Sequence, residues 1–189
     1  MAEPQNPLTH EIKALIGFTA EKVPVGPAWG IDREGIRIFT QAIMDQDPVF
    51  WDDDHAARTK FGEVVAPPIY CSYVGRKVSP GAPDALSEAF SENPTYDGSS
   101  GVRDEITQKP GSLPSIPTPL KRNLNAGNEM ELYKYPALGD RIFSQANYAN
   151  IVGRISSKGD PMLIVTTATT YTNQEGEVLC ILRASNIIR

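Results

Sequence analysis

Histidine and cysteine are scarce in this chain. Two of each occur in 189 residues. So few cysteines exclude a disulfide scaffold, and no set of His and Cys stands at metal-ligand spacing, so no metal site is expected. Cys71 and Cys180 each lie in an apolar run and are expected to be buried free thiols. Positive charge is not in excess either. Eighteen Lys and Arg against 23 Asp and Glu leave a net charge of −5 and no basic patch, so nucleic acid is not an expected partner. No stretch approaches the roughly 18 apolar residues of a membrane span. Met1 to His10 is polar and lacks the apolar core of a signal peptide. The expected location is cytoplasmic. No Gly-rich dinucleotide-binding or P-loop motif occurs, so no cofactor is expected.

What is present is ordinary for a globular protein: 40% hydrophobic and 22% charged residues. The length suits one domain, residues 1–189, with a core of its own. Three regions differ in character. From Pro7 to Val78 the pattern is mostly helical. Leu8, Ile12, Leu15 and Ile16 fall at helical spacing, and Glu21 to Val25 reads as a short edge strand. Asp32 reads as the N-cap of a helix that puts Ile36, Phe39, Ala42 and Ile43 on one face. A short helix over His55 to Phe61, capped by the preceding aspartates, is expected next. Pro67-Pro68 then opens a helix over Ile69 to Val78, because proline fits the first turn.

The second region, Ser79 to Pro119, holds seven of the sixteen prolines and reads as a long Pro/Gly-rich insertion (79–119), with a helical turn or two only at Ala85 to Phe90. A loop of that length is a solvated excursion or a cover over a site or subunit contact. The third region, Leu120 to Arg189, is strand-rich. Expected strands are Glu129 to Tyr135, Arg141 to Ser156, Met162 to Thr172 and Val178 to Ile188. The third is dense in β-branched residues, and the last two are joined by the turn Asn173-Gln174-Glu175-Gly176. Helices followed by strands predict an α+β fold with an antiparallel sheet whose apolar face is covered by the helix Ile36 to Ile43.

The segment Asp45 to Ala57, D-Q-D-P-V-F-W-D-D-D-H-A-A, concentrates six acidic or histidine side chains in thirteen positions. It resembles the D-x-N-P-[IV]-H-x-D signature of MaoC-like hydratases and dehydratases of acyl thioesters. Asp45, Pro48, Val49 and Asp52 match, and Ala56 and Ala57 follow. Downstream, Phe61-Gly62, Val64-Val65 and Ala66-Pro67-Pro68 resemble the family's G-x-x-[VI]-[VIA]-A-P-P segment. Leu124 to Glu129 and Leu138-Gly139-Asp140-Arg141 resemble its third region. Each motif is weak alone, but the set covers nearly the whole chain in order and is fairly specific for the N-terminal type of MaoC dehydratase domain. The resemblance implies a hot-dog fold, a long central helix wrapped by a curved antiparallel sheet.

It also implies a chemistry. Hydration of an enoyl thioester needs a base to activate water and an acid for the α-carbon. Negative charge gathering on the carbonyl is met by N–H groups at a helix N-terminus. In the family an Asp and the His five residues later form the acid–base pair. Asp45 matches the first, but the second position is Phe50, which transfers no protons. Three readings follow. The chain is a catalytically degenerate subunit of an enoyl-CoA hydratase or 3-hydroxyacyl-thioester dehydratase, shaping the acyl pocket while a homologous MaoC-like chain supplies the pair. Or it is a non-catalytic acyl-thioester-binding protein. Or it is a self-sufficient hydratase using Asp45 and His55. Asp45 also reads as a plain turn residue, and Asp52 to Asp54 as a helix N-terminal cluster. Phe50, Trp51, Pro67, Pro68, Ile69 and Tyr70 are the expected substrate lining. Arg76, Lys77, Arg103, Lys121 and Arg122 are the cations available to an acyl-CoA, or stand as solvated charge. An exposed sheet edge invites a partner, a homologous chain or a second copy.

Overall fold

The computed structural model describes residues 6–75, 85–95 and 110–189. Much of the 79–119 stretch, together with Arg76, Lys77, Val78 and Arg103, lies outside the described residues. In chain order the elements are α1 (His10–Ala14), β1 (Val23–Val25), α2 (Arg33–Ala42), α3 (Asp53–Ala57), α4 (Tyr70–Gly75), α5 (Ala85–Glu92), β2 (Asn123–Leu132), β3 (Ile142–Ile155), β4 (Pro161–Thr172) and β5 (Val178–Ile188). A 3-10 turn, Pro48–Phe50, separates α2 from α3.

The strands form one antiparallel sheet in the order β1-β3-β4-β5-β2. The β-branched run of β4 occupies its middle, where both edges are paired. One face carries Ile142, Tyr148 and Ile151 of β3, Leu163, Val165 and Tyr171 of β4, and Cys180 and Leu182 of β5, all buried. A bulge between Tyr148 and Asn150 adds one residue to β3, so that Tyr148 and Ile151 share that face despite their odd spacing.

Two covers meet this face. At one end α2 and α4 contribute Ile36, Phe39, Tyr70, Cys71 and Val74 to a core with Ile142, Tyr171, Leu179, Cys180 and Leu182. At the other, Ile12 of α1 packs with Tyr148, Ile151, Leu163 and Val165, joined by Leu113, Ile116 and Leu120. The Tyr148 hydroxyl donates to the Pro114 carbonyl at 2.7 Å, fastening the end of the Pro-rich stretch over the sheet. This is the α+β, helix-on-sheet hot-dog architecture.

Local signals work as read for α2: Asp32 accepts the Gly35 N–H at 2.7 Å. The structure departs from expectation elsewhere. Strand β2 begins at Asn123 and ends at Leu132, not at Glu129 and Tyr135. Its polar start, Asn-Leu-Asn-Ala-Gly-Asn, has little strand propensity and is extended by pairing with β5. Beyond Leu132 the N–H groups of Tyr133 and Lys134 both donate to the Leu179 carbonyl, at 2.9 and 3.0 Å. That irregularity turns Tyr135 toward the core. Helix α3 starts at Asp53 and stops at Ala57, earlier than the expected His55 to Phe61, because Asp52 rather than a later residue caps it.

The start of α2 is held against the turn before β3. The Ile31 N–H donates to the Asp140 carbonyl (2.9 Å) and the Gly139 N–H to the Ile31 carbonyl (2.8 Å). Gly30 adopts φ +90°, and a Cβ there would lie 2.4 Å from the Gly139 oxygen. Backbone cannot yield as a flexible side chain can. Gly30→Ala is therefore expected to destabilise the fold by more than about 1 kcal/mol, read as a lowered urea midpoint with unchanged m-value. A midpoint equal to the parent's would show that this turn does not hold α2 in place.

Candidate functional site

The acidic run from Asp45 is a chain of backbone caps. Helix α2 ends in a Schellman arrangement: Met44 N–H donates to Gln41 O at 3.2 Å and Asp45 N–H to Thr40 O at 3.1 Å. The left-handed position that glycine favours is filled by Met44, φ 55° and 83% exposed. Asp45 then accepts the Asp47 N–H at 3.0 Å, Asp47 accepts that of Val49 at 3.1 Å, and Asp52 accepts that of His55 at 2.9 Å. Asp53 pairs with Arg33, whose guanidinium also donates to the Trp51 carbonyl at 2.8 Å. The consecutive aspartates thus diverge, one to a helix cap and one to α2. Among the described residues no three of His, Cys, Asp and Glu gather at one point.

The expected site residues distribute as follows. Asp45 is exposed at the end of α2 and His55 is half-buried in α3; no hydrogen bond joins them, and the His55 ring makes none to the described residues. Phe50 is buried, 6% exposed, and stacks on Tyr135 with centroids 6.4 Å apart. Trp51 is half exposed. Pro67 is buried, Pro68 half-buried and Ile69 exposed. Tyr70, 2% exposed, packs edge-on against Phe39 at 5.2 Å and beside Tyr73 at 5.7 Å, joining α4 to α2. Its phenol is pushed up to about 12 by burial first, then by the Asp32 carboxylate and Tyr73.

A cleft of about 500 Å³ opens where the chain leaves β2, within the range of small-molecule sites. Two pins make it. Val65 bridges to Ala137, and the Ala66 N–H donates to Pro136 O at 2.8 Å. These hold the segment after α3 alongside the segment after β2. Phe61, Val65, Leu132 and Tyr135 line the cleft, with Lys60, Glu63, Tyr133, Lys134 and Ala137. Phe61 meets Tyr135 at 4.9 Å and 61°, an attractive edge-on contact. The Lys60 ammonium lies 5.1 Å over the Phe61 ring. Lys134 is engaged by Glu177 at 2.5 Å. None of the six expected lining residues faces this cleft; Phe50 stands behind it, touching Tyr135. The sequence reading passed over Phe61 and Tyr135. The aromatic at 61 beside Gly62 was a visible signal; the inward turn of Tyr135 was not.

Comparison with known proteins agrees with this architecture. A family model described as the FAS1-like, dehydratase domain region matches residues 14–182, and the chain belongs to that family. It is 23% identical over 172 residues to a UPF0336 protein of Saccharopolyspora erythraea, a match spanning 91% of this chain and 89% of that protein. Its fold resembles that of the ChsH1-ChsH2 complex from Mycobacterium tuberculosis, with TM-score 0.63 and 14% identity over 94% of this chain and 86% of that one. It also resembles the MaoC-like dehydratase from Rhodospirillum rubrum, with TM-score 0.53 and 18% identity over 92% of this chain and 91% of that one. The hot-dog fold expected from the motifs is met, and the family is a dehydratase-domain one.

Two measurements test the local physics. A left-handed non-glycine residue costs about 1 kcal/mol or more, so Met44→Gly is expected to raise stability by about that amount in urea unfolding. No gain would mean that the left-handed turn carries no strain. The raised ionisation of Tyr70 means that the folded chain holds the phenol proton more tightly than the unfolded one, whose phenol titrates near 10. Stability from this source is full below about pH 10 and is lost as pH rises toward about 12. Tyr70→Phe should flatten that alkaline decline. An identical decline in the variant would place its origin elsewhere.

Proposed function

We propose that this chain is the catalytically degenerate subunit of an acyl-thioester hydratase or dehydratase. Its homologous partner supplies the Asp and His, and this chain shapes the acyl pocket. The carrying observation is the state of position 50. Where the motif places a proton-transferring histidine, Phe50 is buried and covered by Tyr135, while the Asp45 carboxylate is turned onto the Asp47 N–H. Proton transfer needs a titratable group within reach of the substrate, and neither side chain offers it in this arrangement. The apolar part of the cleft, Phe61, Val65, Leu132 and Tyr135, fits the remaining task of holding an acyl chain. A chain of the solved ChsH1-ChsH2 complex has this fold, which supports a paired subunit here.

The free side of β2 offers the place for a partner. Among the described residues strand β2 pairs with β5 alone, and its other edge offers backbone groups that a homologous strand would satisfy. A second copy of the chain would satisfy them too. Lys121 and Arg122, at the start of that edge, are exposed and available to an acyl carrier's phosphates. Among the described residues no helix is long and apolar enough to cross a membrane.

The test is reconstitution. The chain is purified alone and with a homologous chain bearing an intact Asp-x-Asn-Pro-x-His, and enoyl-CoA hydration is measured. The expected outcome is activity of the pair that is abolished by substituting the partner's His and retained when this chain carries His55→Ala. Activity of the isolated chain that disappears with Asp45→Asn or His55→Ala would instead establish a self-sufficient hydratase. Binding of acyl-CoA without turnover in either preparation would establish a binding protein.

A further inference from the structure

One lining side chain of the cleft, Tyr135, also packs against the core. Tyr135 and Phe61 both line the cleft, while Phe50, the next ring inward, does not. Tyr135 lies between the two, 4.9 Å from Phe61 and 6.4 Å from Phe50, centroid to centroid. It is half-buried and packs onto the same core that contains Val49, Phe50 and Val65. The flanking chain leaves it little freedom. Pro136 after it is buried, its carbonyl holds the Ala66 N–H at 2.8 Å, and Ala137 bridges Val65. On the other side Lys134 is held by the Leu179 carbonyl through its N–H and by Glu177 through its ammonium. A ring so fixed at both ends is a wall, because moving it would break backbone hydrogen bonds on either side.

We infer that Tyr135 is the specificity-determining residue that sets the depth of the cleft, and so the length of acyl chain this subunit accommodates. The inference rests on the acyl-thioester reading given above. The aliphatic end of the acyl chain lies on Phe61, Val65 and Leu132 and stops against the Tyr135 ring. Lys60 is held over Phe61 and Lys134 is paired with Glu177, while Glu63 is exposed; the apolar part of the lining, Phe61, Val65, Leu132 and the Tyr135 ring, suits a hydrocarbon end. Behind the wall stands Phe50, an apolar side chain. Removing the Tyr135 ring therefore extends the cleft onto an apolar surface rather than onto a polar one. The residue at the altered motif position would then become part of the lining, which it is not in the native chain.

The consequence is a break in a length series. Burial of each methylene strengthens binding by about fourfold in Kd until the cleft is full; further methylenes then project into water and add nothing. The experiment measures Kd for saturated acyl-CoA thioesters of increasing length. It uses the full-length chain, alone and with its homologous partner, and circular dichroism verifies the fold of every variant. The native chain should show the rise and then the break. Tyr135→Leu and Tyr135→Ala should move the break to longer chains, so that thioesters beyond the native break bind at least about fourfold more tightly than to the parent. Tyr135→Phe, which keeps the ring, should leave the break in place. Phe61→Leu, altering a side wall, should weaken all lengths without moving it. If acyl-CoA binds with a break that stays put in Tyr135→Leu and Tyr135→Ala, the depth role is wrong and the acyl-binding reading survives. If no acyl-CoA binds in either preparation, the acyl-binding reading falls, and the depth role with it.

Discussion

Everything in this molecule depends on covering one apolar face of an antiparallel sheet. Ile142, Tyr148, Ile151, Leu163, Val165, Tyr171, Cys180 and Leu182 cannot be left in water. No single element is long enough to cover them all. Helix α2 has ten residues, roughly 15 Å of length, and it reaches one end with help from α4. The other end is closed by α1 and by Leu113, Ile116 and Leu120. The division into two covers places the short turns and helices between α2 and α4, and hence the whole Asp45–Ala57 segment, beside the first core.

That segment shows how one composition can serve two ends. Aspartates in a row suggest charge gathered for chemistry. In the fold Asp45, Asp47 and Asp52 accept from different backbone N–H groups and Asp53 pairs with Arg33, so these charges are spread along the chain and stabilise helix and turn starts. The Arg33–Asp53 pair is partly solvated on both sides and contributes modestly as an ion pair. Its greater effect is geometric, since the same guanidinium holds the Trp51 carbonyl and docks the turn onto α2. Phe50 then enters the core as an aromatic side chain should, stacking on Tyr135.

The cleft has a different origin. It comes from two bridges between segments seventy or more positions apart, Val65 with Ala137 and Ala66 with Pro136. They fasten the chain leaving α3 alongside the chain leaving β2, and the cleft lies beside that junction. Phe61, Val65, Leu132 and Tyr135 line the gap together with Lys60, Glu63 and Lys134, the last paired with Glu177, a mixture of apolar and polar groups such as small-molecule sites carry. The proposed acyl-binding role of this subunit follows from the conjunction of that gap with an aromatic residue at the position of the missing proton carrier.

Much was legible in the sequence itself. The dense β-branched run of β4, the Asn173 turn, the Asp32 cap and the spacing of Ile36 and Phe39 are local signals with local causes. They predicted the α+β class and the main strands. The motif order from Asp45 to Arg141 pointed to the dehydratase family, and Phe50 was visible as an altered position. What the sequence could not show was which side chains meet. Strand β2 owes its polar first half to pairing with β5, and Tyr135 owes its inward turn to two N–H groups sharing the Leu179 carbonyl. Phe61 and Tyr135 became the lining of a cleft only because distant backbone bridges set them 4.9 Å apart. Periodicity reports which face of an element is apolar, because that depends on neighbours three or four residues away. It carries no information on contacts closed between distant parts of the chain, such as Val65 with Ala137, and those contacts decided where the cleft opens.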